Sequence, residues 1–163
     1  MTQQELENKI KELEKQIAEL KMVKVEELQS KRWKPNINEI YWTVKANGNI
    51  DTLNWFNDKT DNWKYLTDNY FKTEKEAEEY KNQIEYTARY KNYIEEHSEP
   101  LDWCNADQIK YSSHYDYTTN EIGILRCTGL KNTRVYASNE QIIWDAINEI
   151  GEDNFKKYVL GVK

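Results

Sequence analysis

Ser112, Ser113, His114 and Asp116 are the residues whose types could do acid–base or nucleophilic chemistry. A hydroxyl could attack, an imidazole could take its proton, and a carboxylate could orient the imidazole. Their spacing argues against that use. Successive residues on a strand point to opposite faces, so Ser112, His114 and Asp116 stand side by side on a flat surface. Nothing nearby supplies a pocket or oxyanion donors. The second histidine, His97, falls at a helix end, where a cation complements the helix dipole. Two cysteines, Cys104 and Cys127, and these two histidines match no zinc spacing. Asp58 and Asp61 could touch a cation, but they lack the EF-hand pattern and read as an ordinary polar turn. Five glycines build neither a GxGxxG fingerprint nor a Walker loop. The expectation is a non-catalytic protein with no metal site and no cofactor.

Recognition is the chemistry that remains. Aromatic rings combined with Arg or Lys can stack bases and hold phosphates. The first half offers Tyr41, Trp55, Trp63 and Tyr65, and the second half Lys110, Arg126 and Arg134. Tyr41, Lys110, His114 and Arg126 lie out of phase with the more apolar set of their strands. That places them on an open sheet face or its rim. Arg126 shares its side with Ile122 and Ile124, which points to a patch partly covered by something else. Trp63 and Arg134, beside connecting loops, extend the patch to its edge. The opposing pressure is a shortage of Leu and Val, which forces most Trp and Tyr into the core.

These residues must be positioned by the stretch from Tyr70 to His97, an extended aromatic approach that switches into helix at Thr73. Thr73 and Glu76 form a capping box. Ala77, Tyr80, Ile84, Ala88 and Ile94 make one buried stripe; Tyr86, Tyr90, Tyr93 and His97 make a second. A helix with two stripes sits between two partners. Upstream, residues 1–32 form a separate unit. Leu6, Leu13 and Leu20 occupy one heptad position, Ile10 and Ile17 the other, a combination that favours parallel two-stranded coiled coils. The register breaks at Lys24 and Glu27. Oligomerisation through this helix competes with a single amphipathic helix lying on its own domain.

Residues 33–163 read as one α+β domain of two βββα-like units, 33–97 and 98–163. In the first, a strand from Ile40 turns through Asn47-Gly48, a type I′ signal, into Ile50–Phe56. A polar loop and a third strand, Trp63–Leu66, lead to the capped helix. In the second, Ile109–Tyr117 turns at Thr118-Thr119-Asn120 and returns as Glu121–Thr128. A short strand, Arg134–Ala137, leads to a helix opened by Ser138 and closed by Gly151. One or two further helical turns follow over Glu152–Tyr158, and Trp103 plugs the core edge.

Composition narrows the class. At 163 residues the chain can build a genuine core. Six Trp, twelve Tyr and three Phe stand in for the scarce aliphatics. A net charge of −6 disfavours a generic nucleic-acid binder, which must neutralise phosphates. Two cysteines that form no CxxC motif, a charged N-terminus and the lack of a long apolar run point to a soluble cytoplasmic protein without membrane contact.

Trp33-Lys34-Pro35, Ile40-Tyr41-Trp42, Phe71-Lys72-Thr73-Glu74-Lys75-Glu76-Ala77-Glu78, Asp102-Trp103 and Ile147-Asn148-Glu149-Ile150-Gly151-Glu152-Asp153 carry a resemblance. Together they resemble small proteins encoded by phages and prophages of Gram-positive bacteria. The resemblance spans nearly the whole chain, and its motifs are caps and core aromatics. It brings no catalytic residues; what it implies is an accessory gene expressed in a bacterial host. In that setting the economical purpose is interference with a defence system. One mechanism is sequestration of a nucleotide-like immune signal in an aromatic and basic pocket. The other is blockade of a host defence protein, such as a CRISPR or other nuclease. A structural or regulatory interaction module is the third class.

Overall fold

The computed structural model describes residue 9 and residues 11–16, 32–129 and 132–163. The chain is α+β; among the described residues there are two separate two-stranded antiparallel sheets, with helices packed on them. Residues 9 and 11–16 are helical, and Leu13 is 51 % exposed. Leu6, Ile10, Ile17 and Leu20 lie outside the described residues.

The first hairpin joins β1 (Ile40–Val44) to β2 (Ile50–Asn54), with Val44 opposite Ile50. Its turn departs from the type I′ expectation. Gly48 N–H bonds the Lys45 carbonyl at 2.9 Å, and Gly48 alone in the turn has positive φ, at 80°. A type I′ turn needs positive φ at both central residues, so this is the three-residue loop with a left-handed glycine.

Residues 57–66 correct a second expectation. The expected polar loop and third strand are instead helix α1, Lys59–Leu66. Asp58 and Asp61 are its capping box: Asp58 accepts from Asp61 N–H at 2.9 Å, and the Asp61 carboxylate reaches back to Asp58 N–H. Left-handed Asp68 ends the helix, and Asn69 N–H returns to the Lys64 carbonyl at 3.0 Å. The Asn69 side chain then pairs with both backbone groups of Val44, at 2.8 and 2.7 Å. It stands in for a strand neighbour on the edge of β1. Phe71 completes that edge by exchanging two 2.8 Å backbone bonds with Trp42.

Helix α2, Glu74–His97, begins with the expected Thr73–Glu76 capping box. Along its length it packs against β1, α3 and the final turns of the chain. Strands β3 (Lys110–Asp116) and β4 (Glu121–Cys127) form the second hairpin, and Asn120, at φ 61°, closes its turn. Ala137 exchanges two 2.9 Å backbone bonds with Tyr111, so the expected strand 134–137 reduces to a single bridge. Helix α3, Glu140–Ile150, follows, and Gly151 ends it at φ 86°.

Ser138 is not its cap. Asn139 is, accepting from Gln141 N–H at 2.8 Å. Ser138 instead ties the start of α3 to the end of α2. Its N–H donates to Ser98 Oγ at 2.8 Å, and its own Oγ accepts from Glu99 N–H at 3.0 Å. A short turn at Glu152–Asn154 runs into a π-helical turn, Phe155–Val159, which buries Phe155 completely.

Two apolar clusters result. The smaller joins Tyr41, Trp55 and Tyr70, with Trp33 and Tyr65 at its edge. The larger gathers Tyr90 and Ile94 of α2, Ile143, Ala146 and Ile147 of α3, and Phe155. Strand β1 shows why the first cluster lies where it does. Tyr41 and Thr43 are fully buried, and α1 reaches both: Tyr41 O–H donates to Asp61 at 2.8 Å, and Lys64 Nζ to Thr43 Oγ1 at 2.7 Å.

Candidate functional site

The four residues expected on one open face or its rim, and the two expected to extend it to the edge, do not form one patch. Tyr41 is core, because α1 covers the strand face that was expected to be wet. Burial, reinforced by the hydrogen bond to Asp61, holds its phenol proton well above the usual tyrosine range. Lys110 is also completely buried. Its Nζ donates to the carbonyls of Asn105 (2.8 Å) and Thr128 (3.0 Å) and lies 5.5 Å from the centre of the Trp103 ring. A lysine stem is apolar, and an amine can go inside when backbone carbonyls receive it.

His114 is half-buried, and its ring lies directly over Gly123 on the opposite strand. Its Nδ1 is shut from water without a hydrogen-bond partner. Asp116 accepts Thr118 N–H at 2.8 Å; that backbone bond, first among several causes, lowers its pKa. Ser112 is buried. The Ser112, His114 and Asp116 set therefore has no relay geometry. Among the described residues no group of three or more His, Cys, Asp and Glu converges as a metal-ligand set.

Arg126 is exposed, pairs with Glu140 at 3.0 Å and lies 5.7 Å from the Tyr111 ring centre. Its guanidinium is drawn to the surface between β4 and α3. Trp63, 67 % exposed on α1, belongs to the other half of the fold. Arg134 is exposed and lines a groove.

That groove, about 770 Å³, is the best-built candidate site. One wall is the last half of α2, with Lys91, Ile94 and Glu95; the other comes from residues 99–103 and 133–136. Hydrogen bonds tie these loops together. Pro100 follows the end of α2, Gln108 holds Asp102 N–H (2.7 Å) and the Pro100 carbonyl (3.1 Å), and Ser98–Ser138 joins the two walls. Trp103 and Tyr136 meet edge to face, centres 4.9 Å apart, both half-buried. Lys110 supports Trp103 from within. The charges balance: Lys91 and Arg134 face Glu95 and Glu99, with Lys91 and Glu95 3.7 Å apart.

Of the expected residues, the groove thus uses Arg134 directly and Lys110 indirectly. Sequence reasoning placed Trp103 at the core edge and missed its pairing with Tyr136, because loop residues 103 and 136 share no periodicity. Among the described residues no helix is long and apolar enough to cross a membrane. No protein-family model, curated protein or solved structure matches the chain.

Proposed function

We propose that the chain is a non-catalytic binding protein whose groove beside α2 receives a nucleotide-like ligand. The observation that carries this reading is the wall of Trp103 and Tyr136 with Arg134 at its rim. A base would stack on the aromatics, and a phosphate would pair with the guanidinium. The balanced charge favours a ligand with few phosphates over a polyphosphate. The resemblance to phage-encoded proteins supplies the setting: sequestering a nucleotide-like immune signal inside a bacterial host. Self-association through Leu6, Ile10, Leu13, Ile17 and Leu20 belongs to the same proposal, as does the pairing of two hairpin-and-capped-helix units.

Calorimetry against mononucleotides and small cyclic dinucleotides tests the ligand class. Arg134→Ala and Trp103→Ala should each weaken binding by about tenfold or more, the worth of one charged hydrogen bond or one stacked base. Equal affinity in both variants would remove the groove from consideration.

One observation favours the second reading, blockade of a host defence protein. Ile37, Ile40, Phe56, Trp63 and Leu66 are each 59–73 % exposed in the first half of the fold. Aromatic and aliphatic anchors of this kind carry protein interfaces. Loss of capture of a host nuclease in Trp63→Ala, with Arg134→Ala unaffected, would decide for it.

A further inference from the structure

The segment entering the first hairpin places two cations among aromatic rings. The Arg32 guanidinium lies 4.6 Å from the centre of the Tyr65 ring and 4.9 Å from that of Tyr70. It donates to the Tyr65 carbonyl at 2.6 Å and forms an ion pair with Asp68. Trp33 stacks on Tyr70 with centres 5.9 Å apart. Lys34 Nζ sits over Trp55 and Tyr65, at 5.4 and 5.3 Å. Electron-rich ring faces, a carboxylate and a carbonyl acceptor are the parts that recognise a guanidinium. Here a side chain of the same protein fills them.

Two further features set this site apart from an ordinary buried ion pair. The pairing is open to exchange: the Asp68 side chain is 72 % exposed and that of Arg32 33 % exposed. Beside them runs a groove of about 510 Å³ that Arg32, Asp68, Tyr70 and Glu76 line together. Tyr70, which lines it, is only 7 % exposed and its hydroxyl is closed to water; the neighbouring Arg32 guanidinium can only donate to it, so the hydroxyl proton is left without an acceptor. A buried hydroxyl without an acceptor costs free energy unless a ligand supplies one. An amide-bearing arginine residue would bring a carbonyl for the hydroxyl and a guanidinium for the rings.

We infer that Tyr65, Tyr70, Trp33 and Asp68 form a binding site for the guanidinium of an arginine side chain, with Arg32 as its resident intramolecular occupant. An arginine from another chain competes with Arg32 for the same rings. This inference is independent of the groove beside α2 and shares no residue with it.

The test uses the full chain and two probes, methylguanidinium and N-acetyl-arginine amide, with tryptophan fluorescence as readout. Arg32→Ala empties the site. It should bind both probes saturably, and at least tenfold more tightly than the wild type, in which Arg32 competes. The amide should bind more tightly than methylguanidinium, because only it offers a carbonyl. Adding Tyr70→Ala to Arg32→Ala should abolish saturation. In the unaltered protein, the Arg32 Hε resonance should shift progressively as methylguanidinium is added, a measurement that requires no variant to fold. A folded Arg32→Ala protein without saturable binding would overturn the inference. So would wild-type affinity equal to that of the variant, or an Arg32 resonance that stays fixed throughout the titration.

Discussion

A lysine amine sealed inside a small protein must direct its N–H bonds at protein acceptors, and Lys110 finds two carbonyls. Lys110→Met keeps the stem but removes two hydrogen bonds from a charged group, so it should cost about 2–3 kcal/mol in chemical denaturation. Arg126→Ala removes an exposed pair with Glu140 and should leave the midpoint nearly unchanged. The contrast separates two basic residues that look alike in the sequence. Gly123 makes the complementary case, a position defined by what it lacks. A methyl group there would press into the His114 ring, so Gly123→Ala should cost about 1–3 kcal/mol. Adding His114→Ala should recover part of that loss, and a double-mutant cycle would measure how much. Tyr41 and Tyr90 carry a pH signature. Burial raises both phenol pKa values, so the folded chain keeps protons that the unfolded chain releases. Their contribution is therefore intact below about pH 10, the ordinary tyrosine value, and fades as pH rises above it. Tyrosinate absorbance should show these two ionising only together with unfolding. Early ionisation of Tyr41 in the folded protein would contradict its burial.

At the scale of elements, caps decide where helices begin. Thr73→Ala and Asn139→Ala should each lower stability by about 1 kcal/mol, measured by thermal or chemical unfolding. Ser138→Ala should act differently, by releasing the tie between α2 and α3. The capped α2 was legible because Thr-x-x-Glu precedes a long periodic run. Helix α1 was not, because its capping box uses Asp61 where Glu is usual, and eight residues give periodicity little room. Both hairpins were legible from alternation and turn residues, yet alternation alone does not say which face is wet. Tyr41 and Lys110 fell on the wrong side for that reason. In β1 the deciding partner, α1, was itself unrecognised. In β3 the partners of Lys110 are carbonyls of a loop and of the residue after β4, and backbone groups leave no trace in side-chain pattern.

At the scale of the molecule, α2 has buried residues near both of its ends. Helix α2 is about 36 Å long at 1.5 Å per residue. It contributes Ala77 near one end, and Tyr90 and Ile94 near the other. The residues between are mostly half-buried or exposed. Amide hydrogen exchange should therefore be slowest around Tyr90–Ile94 and faster around Lys81–Glu85. Uniform protection along α2 would mean that the helix opens as a single unit. The groove loops invite a different kind of measurement. Because the Lys110 amine is closed off by Asn105 and Thr128, an acylating reagent that modifies exposed lysines should spare it. Its reactivity then becomes a clock for the opening of the wall that carries Trp103. A ligand that settles in the groove would slow that clock without touching the lysine it reports on.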